Sequence, residues 1–133
     1  MPQFKLGTRS KQRLAKVHPD LRKVVRRAIK ITEIDFTVLE GLRTKARQKK
    51  LFESGASKTM NSRHLTGHAI DLGAYVDRSV RWDWPLYHKI GAAVKTAAEE
   101  VGVPIEWGGD WRSFKDGPHW QLPWKDYPLE DEA

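Results

Sequence analysis

The residues of this chain best suited to chemistry are two histidines and two aspartates that stand in two short motifs. The first motif runs from Ser62 to Asp71 and contains His64, and the second is the segment 116–119, Asp-Gly-Pro-His. Imidazole nitrogens and carboxylate oxygens are zinc donors, and a catalytic zinc site commonly has three protein ligands and leaves a fourth position to water. These residues are the inventory of a zinc hydrolase, in which His64, Asp71 and His119 could fill the three protein positions.

A hydrolytic zinc site also needs a group beside the metal that takes a proton from the water. Asp116, three residues before His119, is the carboxylate that this pattern offers for that role. Taken singly, each of these residues is more often an ordinary core or surface residue than a ligand. The sequence contains neither an HExxH nor a CxxC pattern. Spacing alone leaves both interpretations open.

Two predicted strands would position the motifs. Ile70 and Leu72 would point to one face of a strand and Asp71 to the other, toward a cleft. The run 119–122 follows a Gly-Pro turn and predicts a second strand, which would bring His119 alongside Asp71 if the two strands were adjacent. His68 lies four residues after His64, but Gly67 between them favours a turn over a helix, so we leave His68 out of the ligand set.

The remaining elements indicate an α+β fold, with helices packed on a small, mainly antiparallel sheet. Helical spacing predicts a short helix at 9–17, a basic amphipathic helix after Pro19, a helix capped by Thr44 and a long helix between Asp83 and Gly102 that packs on the sheet. Further strands are predicted at 36–40 and 105–107. We expect one domain over 1–133, with a core at about 8–124 and a frayed tail at 125–133.

Tryptophan is abundant, with six residues in the second half of the chain. We expect Trp111 and Trp120, which flank Asp116 and His119, to form or support a cleft wall. Core packing is the expectation for the other four, because large rings are most often buried.

Charge is distributed unevenly along the chain. Residues 1–50 hold 15 Lys and Arg against 4 Asp and Glu, a net charge of +11, whereas residues 51–133 hold 9 against 13, a net charge of −4. A basic surface attracts nucleic acid, anionic lipid and bacterial cell wall alike, and a solvated basic face is the alternative. There is no cysteine, no apolar run long enough to span a bilayer and no apolar signal segment at the start, so we expect synthesis in the cytoplasm.

The motif Ser-x-His-x-x-Gly-x-Ala-x-Asp, followed by an acidic residue and His, resembles a family of zinc peptidases. That family includes bacterial D-alanyl-D-alanine carboxypeptidases, vancomycin-resistance dipeptidases and phage L-alanyl-D-glutamate endopeptidases. The segments 41–44 and 107–116 are most similar to the phage endolysin branch, and the likeness extends from about Leu14 to Leu122. The resemblance implies a hedgehog/DD-peptidase-like fold and hydrolysis of the L-Ala–D-Glu bond of peptidoglycan, which lyses the bacterial cell.

Position by position, the resemblance implies His64, Asp71 and His119 as zinc ligands and Asp116 as the general base. Arg43 falls on the Arg of the family's Gly-x-Arg-Ser/Thr segment, where a guanidinium would bind substrate and stabilise the oxyanion. Ser62 falls on the Ser of the motif, where it would bind substrate or brace its loop. The candidate site residues are catalytic Asp116 and Arg43, substrate-binding Ser62 and Arg43, and metal-binding His64, Asp71 and His119; Trp111, expected at the cleft wall, is added as a substrate-binding candidate.

Two alternatives stay open at this point. The first is a D-Ala-D-Ala carboxypeptidase or dipeptidase of the same family, and the second is a non-enzymatic basic module that binds cell wall or nucleic acid. For the endolysin interpretation we expect peptidoglycan as partner, no nucleic acid and a monomer. The protein would be made in the host cytoplasm and would reach the periplasm after release through the membrane.

Overall fold

A five-stranded antiparallel sheet lies at the centre of the computed structural model, which describes residues 3–128. The helices are α1 (Thr8–Leu14), α2 (Pro19–Ile31), α3 (Lys45–Glu53) and α4 (Trp84–Val101). The strands are β1 (Phe36–Glu40), β2 (Ala69–Val76), β3 (Ser79–Arg81), β4 (Glu106–Trp107) and β5 (His119–Gln121). Strands pair in the order β1-β2-β5-β4, with β3 added to β2. The predicted α+β architecture is confirmed.

Helices α2 and α4 pack against each other and enclose much of the core. His18 caps α2, because its Nδ1 accepts a hydrogen bond from the backbone N–H of Asp20 at 3.0 Å, and Pro19 occupies the first turn, where no N–H is required. The apolar face of α2 is buried at Leu21, Val24, Val25, Ala28 and Ile29. Helix α4 packs on the sheet as predicted, with Tyr87 against β2 and His88 against Trp107 of β4, and it also packs against α2.

The β2-β3 hairpin was not predicted from the sequence. Its turn places Asp77 and Arg78 at φ values of 52° and 65°, a conformation usually marked by Gly or Asn, and neither is present here. Two neighbouring tryptophans also differ from expectation, since Trp82 and Trp84 are 61% and 43% exposed instead of lying in the core. Trp107 and Trp120 do lie in the core, stacked with ring centroids 5.5 Å apart.

The end of the described chain is attached to the domain. Tyr127 donates a hydrogen bond from its hydroxyl to Asp20 Oδ2 at 2.7 Å, and its carbonyl accepts one from Arg63 Nη2 at 2.8 Å. Tyr127, in the segment that the sequence analysis assigned to a frayed tail, is therefore tied to α2 and to Arg63. Residues 129–133 of that tail lie outside the described residues. Within 3–128, none of the helices combines the length and apolarity needed to cross a bilayer.

Candidate active site

An open cleft of about 960 Å³ lies against one face of the sheet. Its floor contains His64, Asp71 and His119, which we call the ligand cluster. Its upper edge is formed by residues 56–62 and 111–115, which we call the rim. Asp116 and Arg43 also line this cleft, so the structure brings together the residues that the sequence motifs single out.

Sheet register positions two members of the ligand cluster. Asp71 on β2 lies directly opposite His119 on β5, which confirms the prediction that these strands are adjacent. Ile70 and Leu72 point into the core on the other face, at 0% and 1% exposure. Because register is fixed by that buried apolar face, a shift of one residue would turn Asp71 away from the cleft.

A short 3-10 helix, Arg63–Thr66, positions His64. Ser62 Oγ accepts a hydrogen bond from the His64 N–H at 3.2 Å, and Gly67 ends the turn at φ 74°. His64 Nδ1 lies 2.8 Å from the carbonyl oxygen of Gly41, so it carries the proton and donates it. Nε2 is the nitrogen left for a metal, and it lies 3.2 Å from Asp71 Oδ1.

His119 is oriented by a hydrogen-bonded chain that the sequence analysis missed. His119 Nε2 donates to Gln121 Oε1 at 2.8 Å, and Gln121 Nε2 donates to Glu106 Oε2 at 3.3 Å. Trp111 Nε1 donates to the same carboxylate oxygen at 2.9 Å. Gln121 stands two residues after His119, and this i, i+2 spacing on one strand face was the signal available in the sequence.

The donor set fits a tetrahedral zinc ion. The three candidate ligand atoms lie within 4.8 Å of one another, and Asp71 Oδ1 is 3.2 Å from His64 Nε2 and 3.3 Å from His119 Nδ1. Two donors held about 2.0–2.1 Å from a tetrahedral ion are themselves about 3.3 Å apart. The second nitrogen of each imidazole already donates to a protein acceptor, as is usual for histidines that bind metal.

Electrostatics keep Asp71 ionised. Burial alone would raise its pKa, but hydrogen bonds and charge interactions with His119 and His64 outweigh burial and hold the pKa well below its ordinary value. Burial would lower the pKa of His119, and its hydrogen bond and charge interaction with Asp71 raise it instead. The anionic oxygen that a divalent cation needs is thus present at the centre of the cluster.

Asp116 lies on the turn that precedes β5. Its N–H donates to the Gly108 carbonyl at 3.0 Å, and its own carbonyl accepts from the His119 N–H at 3.3 Å. A Cβ on Gly108 would lie 2.5 Å from the Asp116 carbonyl oxygen, so only glycine permits this close approach. Burial and the negative charge of Asp71 raise the pKa of Asp116, which makes its carboxylate a stronger proton acceptor.

Arg43 lies behind Asp71, and its side chain is only 8% exposed. Its Nη2 forms an ion pair with Glu40 and lies 3.8 Å from Asp71 Oδ2, while Nη1 donates to Gln48 Oε1 at 2.7 Å. Burial would raise the pKa of Glu40, and hydrogen bonds from Arg43 and Arg47 lower it, so that carboxylate is ionised. Among the described residues, no acceptor lies within hydrogen-bond distance of Arg43 Nε.

The other predicted site residues take supporting positions. Ser62 caps the turn that holds His64, which matches the bracing role considered for it. Trp111 lines the cleft, with its ring centroid 5.1 Å from that of His119. Trp120 faces the core and is 1% exposed, so it supports the sheet from behind instead of forming a cleft wall. His68 contacts Thr66 Oγ1 at 2.7 Å and lies outside the ligand cluster.

A cleft that contains a His-Asp-His cluster able to hold a metal ion, with the carboxylate of Asp116 lining the same cleft, has the groups that metal-assisted hydrolysis requires. Comparison with known proteins identifies the family to which the chain belongs. A model of the phage L-alanyl-D-glutamate peptidase family matches residues 2–122, and the chain belongs to that family.

Individual relatives agree with the family match. The chain is 35% identical over 117 residues to the L-alanyl-D-glutamate peptidase of Escherichia phage T5, with 85% of each chain covered. It is 39% identical over 94 residues to that of Listeria phage A118, a match that covers 71% of this chain and 32% of the relative. The crystal structure of Serratia marcescens L-Ala D-Glu endopeptidase ChiX superposes with a TM-score of 0.89 at 47% identity. That superposition covers 94% of this chain and 95% of ChiX.

Proposed function

We propose that this protein is a zinc-dependent peptidase that hydrolyses the L-Ala–D-Glu bond in the stem peptides of peptidoglycan. The observation that carries the proposal is the ligand cluster, in which three donors from two separated motifs converge within 4.8 Å of one another. Family membership supports the peptidase class and the bond, because the relatives at 35% and 39% identity are both called L-alanyl-D-glutamate peptidases. The donor chemistry supports zinc as the metal.

Zinc held by His64 Nε2, Asp71 Oδ1 and His119 Nδ1 would supply Lewis acidity, lowering the pKa of a water to about 7 and polarising the scissile carbonyl. The surrounding protein fixes the protonation and charge of the ligands. The hydrogen bonds to the Gly41 carbonyl and to Gln121 fix the imidazole tautomers, so that each ring presents an unprotonated nitrogen to the ion. The ionised Asp71 balances part of the metal charge.

Asp116 is the proposed general base. Its carboxylate accepts the proton of the attacking water and later delivers a proton to the nitrogen of the departing D-glutamyl residue. Its raised pKa suits both steps, because a stronger base accepts the first proton more readily and the resulting acid is available for the second. Arg43 is the proposed partner of the carbonyl oxygen as negative charge develops on it.

Replacing Asp116 with Ala tests this proposal. We expect cleavage to fall by about 10²–10⁴-fold, the usual contribution of a general acid–base group, while one equivalent of zinc stays bound. Turnover would be followed with purified peptidoglycan and zinc content by elemental analysis. A non-enzymatic wall-binding module would keep its function in this variant, and a D-Ala-D-Ala carboxypeptidase would release single D-Ala from the unchanged protein.

The proposed setting is that of a phage endolysin. We propose a monomer with a single domain over residues 1–133, made in the host cytoplasm and released through the membrane to reach peptidoglycan in the periplasm. The basic segment 1–50, with a net charge of +11, would hold it against the anionic wall, and no nucleic acid partner is proposed.

A further inference from the structure

Two lysines of the rim have no assigned role. Lys58 belongs to the loop after α3 and Lys115 to the segment before Asp116, and both line the cleft. Lys58 Nζ lies 5.3 Å from the centre of the Phe114 ring, so it reaches across to the neighbour of Lys115. Two lysines from distant parts of the chain therefore line the same cleft as the proposed base Asp116.

These lysines differ from the other cations of the cleft. Arg43 and Arg47 form ion pairs with Glu40, and the buried Arg63 donates to backbone carbonyls. Within residues 3–128, neither Lys58 nor Lys115 has a carboxylate at ion-pair distance, and Lys115 makes only a long hydrogen bond of 3.4 Å to the Gly109 carbonyl. Their positive charge is available to a ligand.

The backbone beside them is held in an uncommon conformation. Phe114 has φ 53°, which is rare for a bulky residue, and its ring is 69% exposed at the cleft mouth. Residues held in such conformations concentrate at functional sites. Here the conformation presents an aromatic face to Lys58 and places Lys115 between Phe114 and Asp116.

The proposed substrate carries a matching negative charge. A glutamyl residue that continues a peptide through one of its carboxyl groups keeps the other free. Hydrolysis of an L-Ala–D-Glu bond leaves this free carboxylate on the product that carries the new amino group. The nitrogen of that amino group is the atom that Asp116 is proposed to protonate. Hydrogen bonds between an ammonium and a carboxylate are among the stronger ones in proteins, and they distinguish a carboxylate from its neutral amide.

We infer that Lys58 and Lys115 bind the free carboxylate of the D-glutamyl residue and thereby select peptides with this acid on the leaving side of the scissile bond. The inference rests on the proposed function and goes beyond it, since it assigns the residues that set specificity. They are specificity residues, not catalytic ones, because they contact a group that takes no part in bond cleavage.

The test uses two synthetic stem peptides that differ only in this group, one with the free carboxylate and one with the carboxamide. We expect zinc-loaded wild-type protein to prefer the acid about tenfold or more in kcat/KM, mainly through KM. Each single variant, Lys58→Gln or Lys115→Gln, should lower the preference by roughly three- to tenfold, and the double variant should bring it close to one. Cleavage of the carboxamide peptide should fall less than cleavage of the acid, because an ammonium binds a neutral amide more weakly than a carboxylate.

Lys49→Gln is the matched control. Lys49 is exposed on α3, lies outside the cleft and has only a 3.9 Å ion pair with Glu53, so this variant should keep the wild-type preference. The inference is overturned if wild-type protein cuts both peptides equally well, or if the double variant keeps the preference. Failure of zinc-loaded wild-type protein to cut either peptide is a different result, which overturns the proposed function and the inference with it.

Discussion

The ligand cluster and the rim belong to the same cleft but are built in different ways. Asp71 and His119 are fixed by strand register, and each histidine is held by a hydrogen bond to a buried acceptor. The rim consists of irregular backbone with exposed side chains such as Lys58, Phe114 and Lys115. We infer that this division separates chemistry from selection, with a rigid floor that activates water and a polar edge that recognises the substrate.

The rim is nevertheless anchored from below by one buried residue. Gln48 of α3 is 0% exposed and donates to Ser57 Oγ at 2.8 Å and to the Thr59 carbonyl at 2.6 Å. Its own Oε1 accepts from Arg43 Nη1. One side chain therefore connects the loop that carries Lys58 to the arginine behind Asp71.

The largest expected effect is at the floor. Asp71→Asn removes the anionic donor that contacts both histidines, so we expect zinc binding to be lost and cleavage to fall by about a thousandfold or more. Elemental analysis measures the bound zinc, and turnover of purified peptidoglycan measures cleavage. His68→Ala is the matched control, because His68 lies in the same segment outside the cluster and should keep its zinc. Equal zinc loss in both variants would contradict the assignment of the floor.

A smaller effect on zinc binding is expected for Gln121, which contacts the ligand His119 and is not itself a ligand. Gln121→Leu removes the acceptor of His119 Nε2, and we expect zinc affinity to fall by about 10–100-fold because the ring loses its fixed orientation. Competition with a chromogenic chelator gives the dissociation constant. Glu106→Gln leaves the His119–Gln121 contact in place and should keep affinity within about threefold of wild type. A reversed ranking of these variants would show that the chain of hydrogen bonds does not support the ligand.

The rim should respond differently from the floor. Gln48→Leu removes three hydrogen bonds, and we expect the free energy of unfolding to drop by about 1–3 kcal/mol and KM to rise several-fold, with zinc affinity unchanged. Denaturant titration and steady-state kinetics provide these values. Gln12→Leu on the exposed face of α1 is the control and should alter neither. Loss of zinc from the Gln48 variant would mean that floor and rim are not separable.

The smallest effect concerns charge outside both regions. Because salt screens attraction between a basic surface and an anionic wall, we expect activity on whole peptidoglycan to fall a few-fold between low and high salt. Cleavage of a short soluble stem peptide should change less. The same salt dependence for both substrates would place the relevant charges in the cleft instead of on α2.

The sequence predicted the floor better than the rim for a physical reason. Alternation around Asp71 and the Gly-Pro turn before His119 are local signals that determine strand faces, and the fold adds only the pairing of two short strands. The positive φ values of Asp77, Arg78 and Phe114 have no such signal, because glycine or asparagine stands at none of them. Gln48 was also missed, since it appears as an ordinary polar residue in a basic helix, and its buried contacts with Arg43 and with the loop after α3 form only in the folded protein.

Mass spectrometry of peptides released from purified peptidoglycan tests the central claim most directly. Three protein samples are compared: zinc-loaded protein, protein stripped of metal by a chelator, and stripped protein that has been reloaded with zinc. We predict stem peptides with a free amino group on D-Glu from the first and third samples and none from the second. The same peptides released at the same rate by stripped protein would contradict the claim that the ligand cluster works through zinc. Release of single D-Ala in their place would contradict the proposed bond.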